Sequence, residues 1–321
     1  MSVRGRNQAL AQAALFAAGM TAAALLACLT PLFFFPAVLF IPVPLAVLVR
    51  RHDFKAGLLA GAIFCALLLI LAGPNLAAVV VLLQTVPLGL LLGLLLKNHT
   101  SAGVSIAAGA LVLAAFALLG LAVSFWTTGN NPLAAGEEMK QAMERAADWS
   151  ARLGVTEELP RRELEQIMAQ TAQLASQLIL AHLVTLSILN ALFTYLLARK
   201  ALQRLACPLP PLPPFTRWQF PWQTSWSLIA GLGLTLGGDA WKISPAAVVG
   251  KNILYVSVFL YLLAGLAVAT FYLGKWKIPG LLKFFLAFFA FLYLPLAAVL
   301  IALLGVADSF FNFRRSLEGK K

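Results

Sequence analysis

Of the 321 residues, 61% are hydrophobic and 11% charged, and the mean hydropathy of +0.88 excludes an ordinary soluble globular domain. The formal net charge of +12 would suit nucleic acid, but the bases stand at the ends of apolar runs and form no continuous basic face; they read as membrane anchors, and nucleic acid is excluded as a partner. Cys28, Cys65 and Cys207 lie far apart, without the spacing of a metal site or a disulfide framework.

A bilayer core takes about 20 apolar residues per helix, and nine runs reach roughly that length: 9–29, 32–49, 54–72, 76–96, 102–126, 171–197, 222–238, 253–273 and 281–304. The chain therefore reads as an all-α polytopic bundle of about nine helical segments embedded in lipid, with one extracytoplasmic helical insertion. Leu25, Leu26, Ala27 and Cys28 imitate a lipoprotein cleavage box, but the residues after Cys28 are again apolar, so 9–29 reads as a first transmembrane helix. That helix repeats small residues at Ala9, Ala13 and Ala17, a spacing that admits a second helix at close range. A partner subunit and an internal neighbour fit it equally well. Gly73-Pro74-Asn75 and Lys97-Asn98-His99-Thr100 break the chain between the third, fourth and fifth runs.

The longest polar stretch, 131–170, holds eight of the twelve acids and five bases, a net −3 against +15 for the remainder. Arg4 and Arg6, the cluster Arg50, Arg51 and Lys55, then Lys97, then Lys200 and Arg204, alternate as an N-terminus in the cytoplasm requires, which puts the acidic stretch outside. Within it Met139, Ala142, Met143, Ala146 and Leu153 follow helical spacing. A second helix is expected from Pro160 and runs without a breaker through Leu197, about 60 Å at 1.5 Å per residue. The proline-rich 207–215 predicts an extended connector, followed by Trp218, Phe220, Trp222 and Trp226 as an interfacial belt. Beyond it the charges favour a segment 222–238 that dips in and returns, whereas its length favours a crossing; eight or nine crossings result. The divisions are 1–127, the insertion 128–170, the sixth helix 171–200, the connector 201–225, three segments over 226–304 and a basic tail 305–321.

Catalytic and ion-coupling membrane proteins carry ionisable groups at depth, and this chain has few. Asp239 and Asp308 lie at span ends and read as interfacial anchors, and His182 reads as a neutral packing histidine. No phosphate loop, nucleophile elbow, zinc motif or carboxylate pair occurs, so no catalytic residue, cofactor or metal is expected and the chain is not read as an enzyme. Polar residues gather on the sixth helix, where Gln173, Ser176, Gln177, Ser187, Asn190, Thr194 and Tyr195 fall on one broad face. Such a face in lipid meets other helices or a polar cavity. Gln84 and Thr85 in the fourth run, and Asn252, Tyr255 and Tyr261 in the eighth, are the natural partners for either.

Pro42-Val43-Pro44 before Arg51-His52, Gly73-Pro74, Pro214-Phe215 with Trp218, Asn252, the run Tyr261 to Ala267, and Gly305 with Asp308, Phe313 and Arg314 occur in an order that resembles the YybS-like family. That resemblance implies a multi-pass protein of the bacterial cytoplasmic (inner) membrane. The first six runs are also similar to the substrate-binding S components of energy-coupling-factor transporters, which implies that Ala9, Ala13 and Ala17 dock a membrane-protein partner. No binding residue transfers from either resemblance. The expected function is a transport-associated subunit that binds a small-molecule ligand; the alternative is a membrane scaffold or regulatory partner that uses the outer helices and basic loops.

Overall fold

The computed structural model describes residues 3–129, 145, 161–209, 211–275 and 279–314. The helical stripe expected from Met139 to Leu153, the helix start expected at Pro160 and residues 315–321 of the basic tail lie outside the described residues. Among the described residues the regular structure is all helical, with no strand. In order, α1 is Val3–Leu29, α2 Pro31–Phe40, α3 Pro42–Arg51, α4 Phe54–Ala72, α5 Leu76–Lys97, α6 Ala102–Thr128, α7 Arg161–Gln177, α8 Ile179–Arg204, α9 Ser225–Ala240, α10 Ser244–Lys275, α11 Gly280–Leu292 and α12 Leu294–Phe311.

Starts and stops follow local chemistry. Asp53 caps α4 by accepting from Ala56 N–H at 2.7 Å, and Asn75 caps α5 by accepting from Ala78 N–H at 2.8 Å. Gly73 between them holds a positive φ of 74°, which a side chain would strain. Of the described helices, α1, α4, α5, α6, α8, α10, α12 and the paired α2 and α3 are long and apolar enough to cross a bilayer, eight candidates in all.

Three runs that hydropathy drew as single rods are broken. Pro42 and Pro44 supply no N–H to the preceding turn, so 32–49 divides at Ile41 into α2 and α3. The final run divides at Tyr293 because Pro295 suits the first turn of a new helix and not the interior of an old one. The crossing helix there is α12, whereas α11 has 13 residues and none buried. The long sixth rod is interrupted at Leu178, between α7 and α8. At 16 residues, about 24 Å, α9 is shorter than a hydrocarbon core of about 30 Å.

The chain forms two compact units, Met1–Ala135 with Leu183–Pro211, and Gly136–His182 with Leu212–Lys321. In the first, α1 packs along α4, and α3 packs along α5. Ala13, Ala17 and Ala24 of α1 share a buried cluster with Ala60, Phe64 and Leu68 of α4. Gly89 and Gly93 bring α5 against α3: a Cβ at Gly89 would stand 2.7 Å from the Pro42 carbonyl oxygen, and one at Gly93 2.9 Å from that of Ala46. In the second unit α10 is the centre, with α9 on one side and α12 on another. Gly238 of α9 faces the backbone of Ala247, and Gly265 of α10 faces the Ile301 carbonyl of α12. Gly231 also packs closely, a Cβ there meeting Leu254 N at 3.0 Å, whereas Gly233 faces open space.

Candidate functional site

The first unit contains two neighbouring cavities, of about 170 and 270 Å3, that share Gln84 of α5, Ala117 of α6 and Leu183 of α8. The smaller is floored by Val38, Leu113, Ser187 and Asn190, all buried. Phe35 and Leu186 form its mouth and are 57% and 54% exposed. The larger runs between α5 and α6 toward Leu76 and Ser124. Most of the lining is aliphatic or aromatic and none of it is charged.

The polar groups that reach these cavities keep hydrogen-bonding capacity in hand. The Thr194 hydroxyl is within reach of Asn190 Oδ1 at 3.1 Å and the Leu39 carbonyl at 3.2 Å, which holds the carboxamide by its oxygen. Among the described residues Asn190 Nδ2 has no hydrogen-bond partner. Ser187 donates to the Leu183 carbonyl at 2.8 Å and so can still accept. Thr85, next to Gln84, donates to the Val81 carbonyl at 2.7 Å and is fully buried. Gln84 itself lines both cavities and, among the described residues, makes no hydrogen bond. Among the described residues the Thr185 hydroxyl and Tyr195 phenol of α8 and Arg50 Nε of α3 are buried without a partner, as is Asp308 Oδ1 in the second unit.

The second unit spends its polar groups differently. At the break between α7 and α8, Asn252 of α10 enters the helical ladder: its Oδ1 accepts from Ala181 N–H at 2.8 Å and its Nδ2 donates to the Gln177 carbonyl at 2.7 Å. Those are the two backbone groups that would pair in an unbroken helix, so one side chain restores what the interruption removes. Nδ2 also donates to the Val248 carbonyl at 2.8 Å, and Lys251 donates to Gln177 Oε1 at 3.3 Å. His182 Nδ1 lies 3.0 Å from the Leu178 carbonyl, which can only accept, so Nδ1 carries the proton and Nε2 accepts from the Tyr255 hydroxyl at 3.2 Å. The two rings pack with centroids 4.8 Å apart.

Further along α10 the buried Tyr261 hydroxyl meets Thr224 Oγ1 at 2.6 Å and Ser225 Oγ at 2.9 Å, and Ser257 donates to Ser227 at 2.8 Å. Past the end of α12, Arg314 donates to Asp308 Oδ2 at 2.6 Å and to the carbonyls of Thr216 and Trp218 at 2.5 and 2.8 Å. Gln219 donates to the Asp308 carbonyl at 3.1 Å and to Asn312 Oδ1. Asp308 is 1% exposed, so it is a buried ion-pair partner and not the interfacial anchor its position at a span end suggests.

The single polar face expected on the sixth helix thus resolves into two groups. Gln177 joins Asn252 in the second unit, where Tyr255 holds His182; Ser187 and Asn190 join Gln84 in the first; Gln173 is exposed and belongs to neither. Ala9 is 6% exposed, and Ala13 and Ala17 are wholly buried beside α4. Within the chain, Ala13 and Ala17 of this small face pack against an internal helix. Sequence reasoning missed the role of Gly89 and Gly93, although their spacing of four is the same signal that drew attention to the alanines. It also missed the pairing of Asp308 with Arg314. Among the described residues no group of three or more His, Cys, Asp or Glu is placed to hold a metal ion.

Eight apolar helices of spanning length, buried small-residue contacts between them and polar groups gathered inside define a polytopic helical membrane protein. Residues 20–309 match the family described as Predicted membrane protein (DUF2232), and the chain belongs to that family. No curated protein and no solved structure matches it.

Proposed function

We propose that the chain is a non-enzymatic, transport-associated subunit of the YybS-like kind in the bacterial cytoplasmic membrane, N-terminus inside, and that its first unit binds a small solute. The observation that carries this reading is Gln84, a carboxamide with no partner among the described residues at the junction of two cavities, the smaller of which Asn190 and Ser187 also reach. A group that only glued helices together would be expected to have found a partner, as Asn252 has. The similarity of the first six runs to S components supports the same reading, because those proteins bind solutes among six spans. The alternation of Arg50, Lys97 and Lys200 at successive span ends supports the orientation.

The test is a thermal-shift screen of the purified chain against vitamins, nucleobases and lipid-soluble neutral amides, with the co-purifying membrane proteins identified in parallel. Saturable stabilisation by at least one compound, weakened in Gln84→Leu, is the expected result. No stabilisation by any class, together with no co-purifying coupling subunit, would overturn the reading.

A further inference from the structure

The two cavities also constrain what can occupy them. No charged side chain lines either, and a charge entering without a counter-charge would lose its hydration uncompensated. The occupant is therefore neutral. The polar groups of the lining are few: Gln84 offers an unused donor pair and an unused acceptor at the junction, Asn190 and Ser187 line the smaller cavity, Ser124 lies toward the far end of the larger, and the rest of the lining is apolar. The mouth of the smaller cavity is framed by Phe35 and Leu186, the exposed apolar faces of two helices that lie in candidate membrane spans. Exposed apolar side chains on spanning helices suit an opening toward acyl chains better than one toward water.

From these three observations we infer that the site takes a neutral, lipid-soluble amphiphile, entering sideways from the bilayer, whose single amide or hydroxyl group is read by Gln84 while its apolar parts extend into both cavities. Gln84 is the specificity-determining residue, since it alone borders both spaces with its hydrogen-bonding groups free. This rests on the pocket reading above and narrows it: hydrophilic vitamins and nucleobases are excluded, as are lipids whose charged headgroup would have to enter.

The experiment is equilibrium binding to the full chain in lipid nanodiscs with three labelled probes: oleamide, a neutral long-chain amide; cetyltrimethylammonium, of similar length but permanently charged; and nicotinamide, a neutral amide without a chain. Two variants accompany it, Gln84→Leu, which removes the polar reader at similar volume, and Ala117→Phe, which fills the junction. The expected result is saturable oleamide binding that weakens about tenfold in Gln84→Leu and disappears in Ala117→Phe, with neither other probe saturating. Saturable nicotinamide binding without oleamide binding would overturn the amphiphile and leave the pocket standing. Equal binding of the ammonium probe would overturn the demand for neutrality, and oleamide binding unchanged in both variants would show partition into lipid and overturn the site assigned to it. If no probe saturates and the screen above is also silent, the pocket reading falls with it.

Discussion

The two units place their polar side chains differently. In the second, Asn252 closes a broken helix, Tyr261 is held by two hydroxyls, and Arg314 pairs with two backbone carbonyls and with one oxygen of the buried Asp308 carboxylate, whose Oδ1 has no partner among the described residues. In the first, the half-buried Gln84 has no partner among the described residues, and neither do the buried hydroxyls of Thr185 and Tyr195. Inside a membrane no water repairs such an omission. The second unit therefore uses its polar residues to fix a structure, and the first keeps Gln84 at a space that something else can enter.

That contrast can be broken or sharpened by mutation, with effects that should fall in a definite order. Arg314→Ala leaves the Asp308 carboxylate buried and uncompensated, and should cost about 3–5 kcal/mol in thermal or denaturant unfolding; a loss under about 1 kcal/mol would mean that water reaches Asp308. Gly305→Ala drives a methyl group against the Tyr261 carbonyl and to 2.8 Å from Gly265 N, where only backbone can yield, and should cost about 3 kcal/mol by the same measurement. Asn252→Leu strands Ala181 N–H and the Gln177 carbonyl, for about 2 kcal/mol. Its signature is local: hydrogen exchange should accelerate at Ala181 before α10 loosens, and uniform acceleration throughout the unit would argue for a packing defect instead. Gln84→Leu comes last, since it removes no bond and should change stability by less than about 0.5 kcal/mol.

Much of this architecture was legible in the chain. Runs of about 20 apolar residues announce spans because the bilayer imposes the length, and Gly73-Pro74-Asn75 announces a break because its backbone demands are local. The break at Leu178 carries no such signal. It exists together with Asn252, on another helix far along the sequence, so no reading of 160–197 alone could place it. Proline did mark the breaks at Ile41 and Tyr293, but a window that averages hydropathy is blind to a missing N–H. The candidate site was half legible for a similar reason. Helical periodicity put Gln177, Ser187 and Asn190 on a common face, yet it could not tell which neighbours divide that face between them. Ala9, Ala13 and Ala17 show the same limit, since a small face is visible in sequence and its occupant is not. The ordered landmarks Asn252, Tyr261, Gly265, Gly305, Asp308 and Arg314 prove to be the contacts that close the second unit, and so they carry structural information and leave the ligand unspecified.

The most direct test of the distinction is to measure the unfolding of Gln84→Leu and Asn252→Leu side by side in the same lipid, without added ligand. The account predicts that Asn252→Leu loses about 2 kcal/mol while Gln84→Leu stays within about 0.5 kcal/mol of the unmodified chain. Equal losses in the two variants would contradict it, because Gln84 would then be a structural bond like the rest and the cavities beside it would have no reserved polar group.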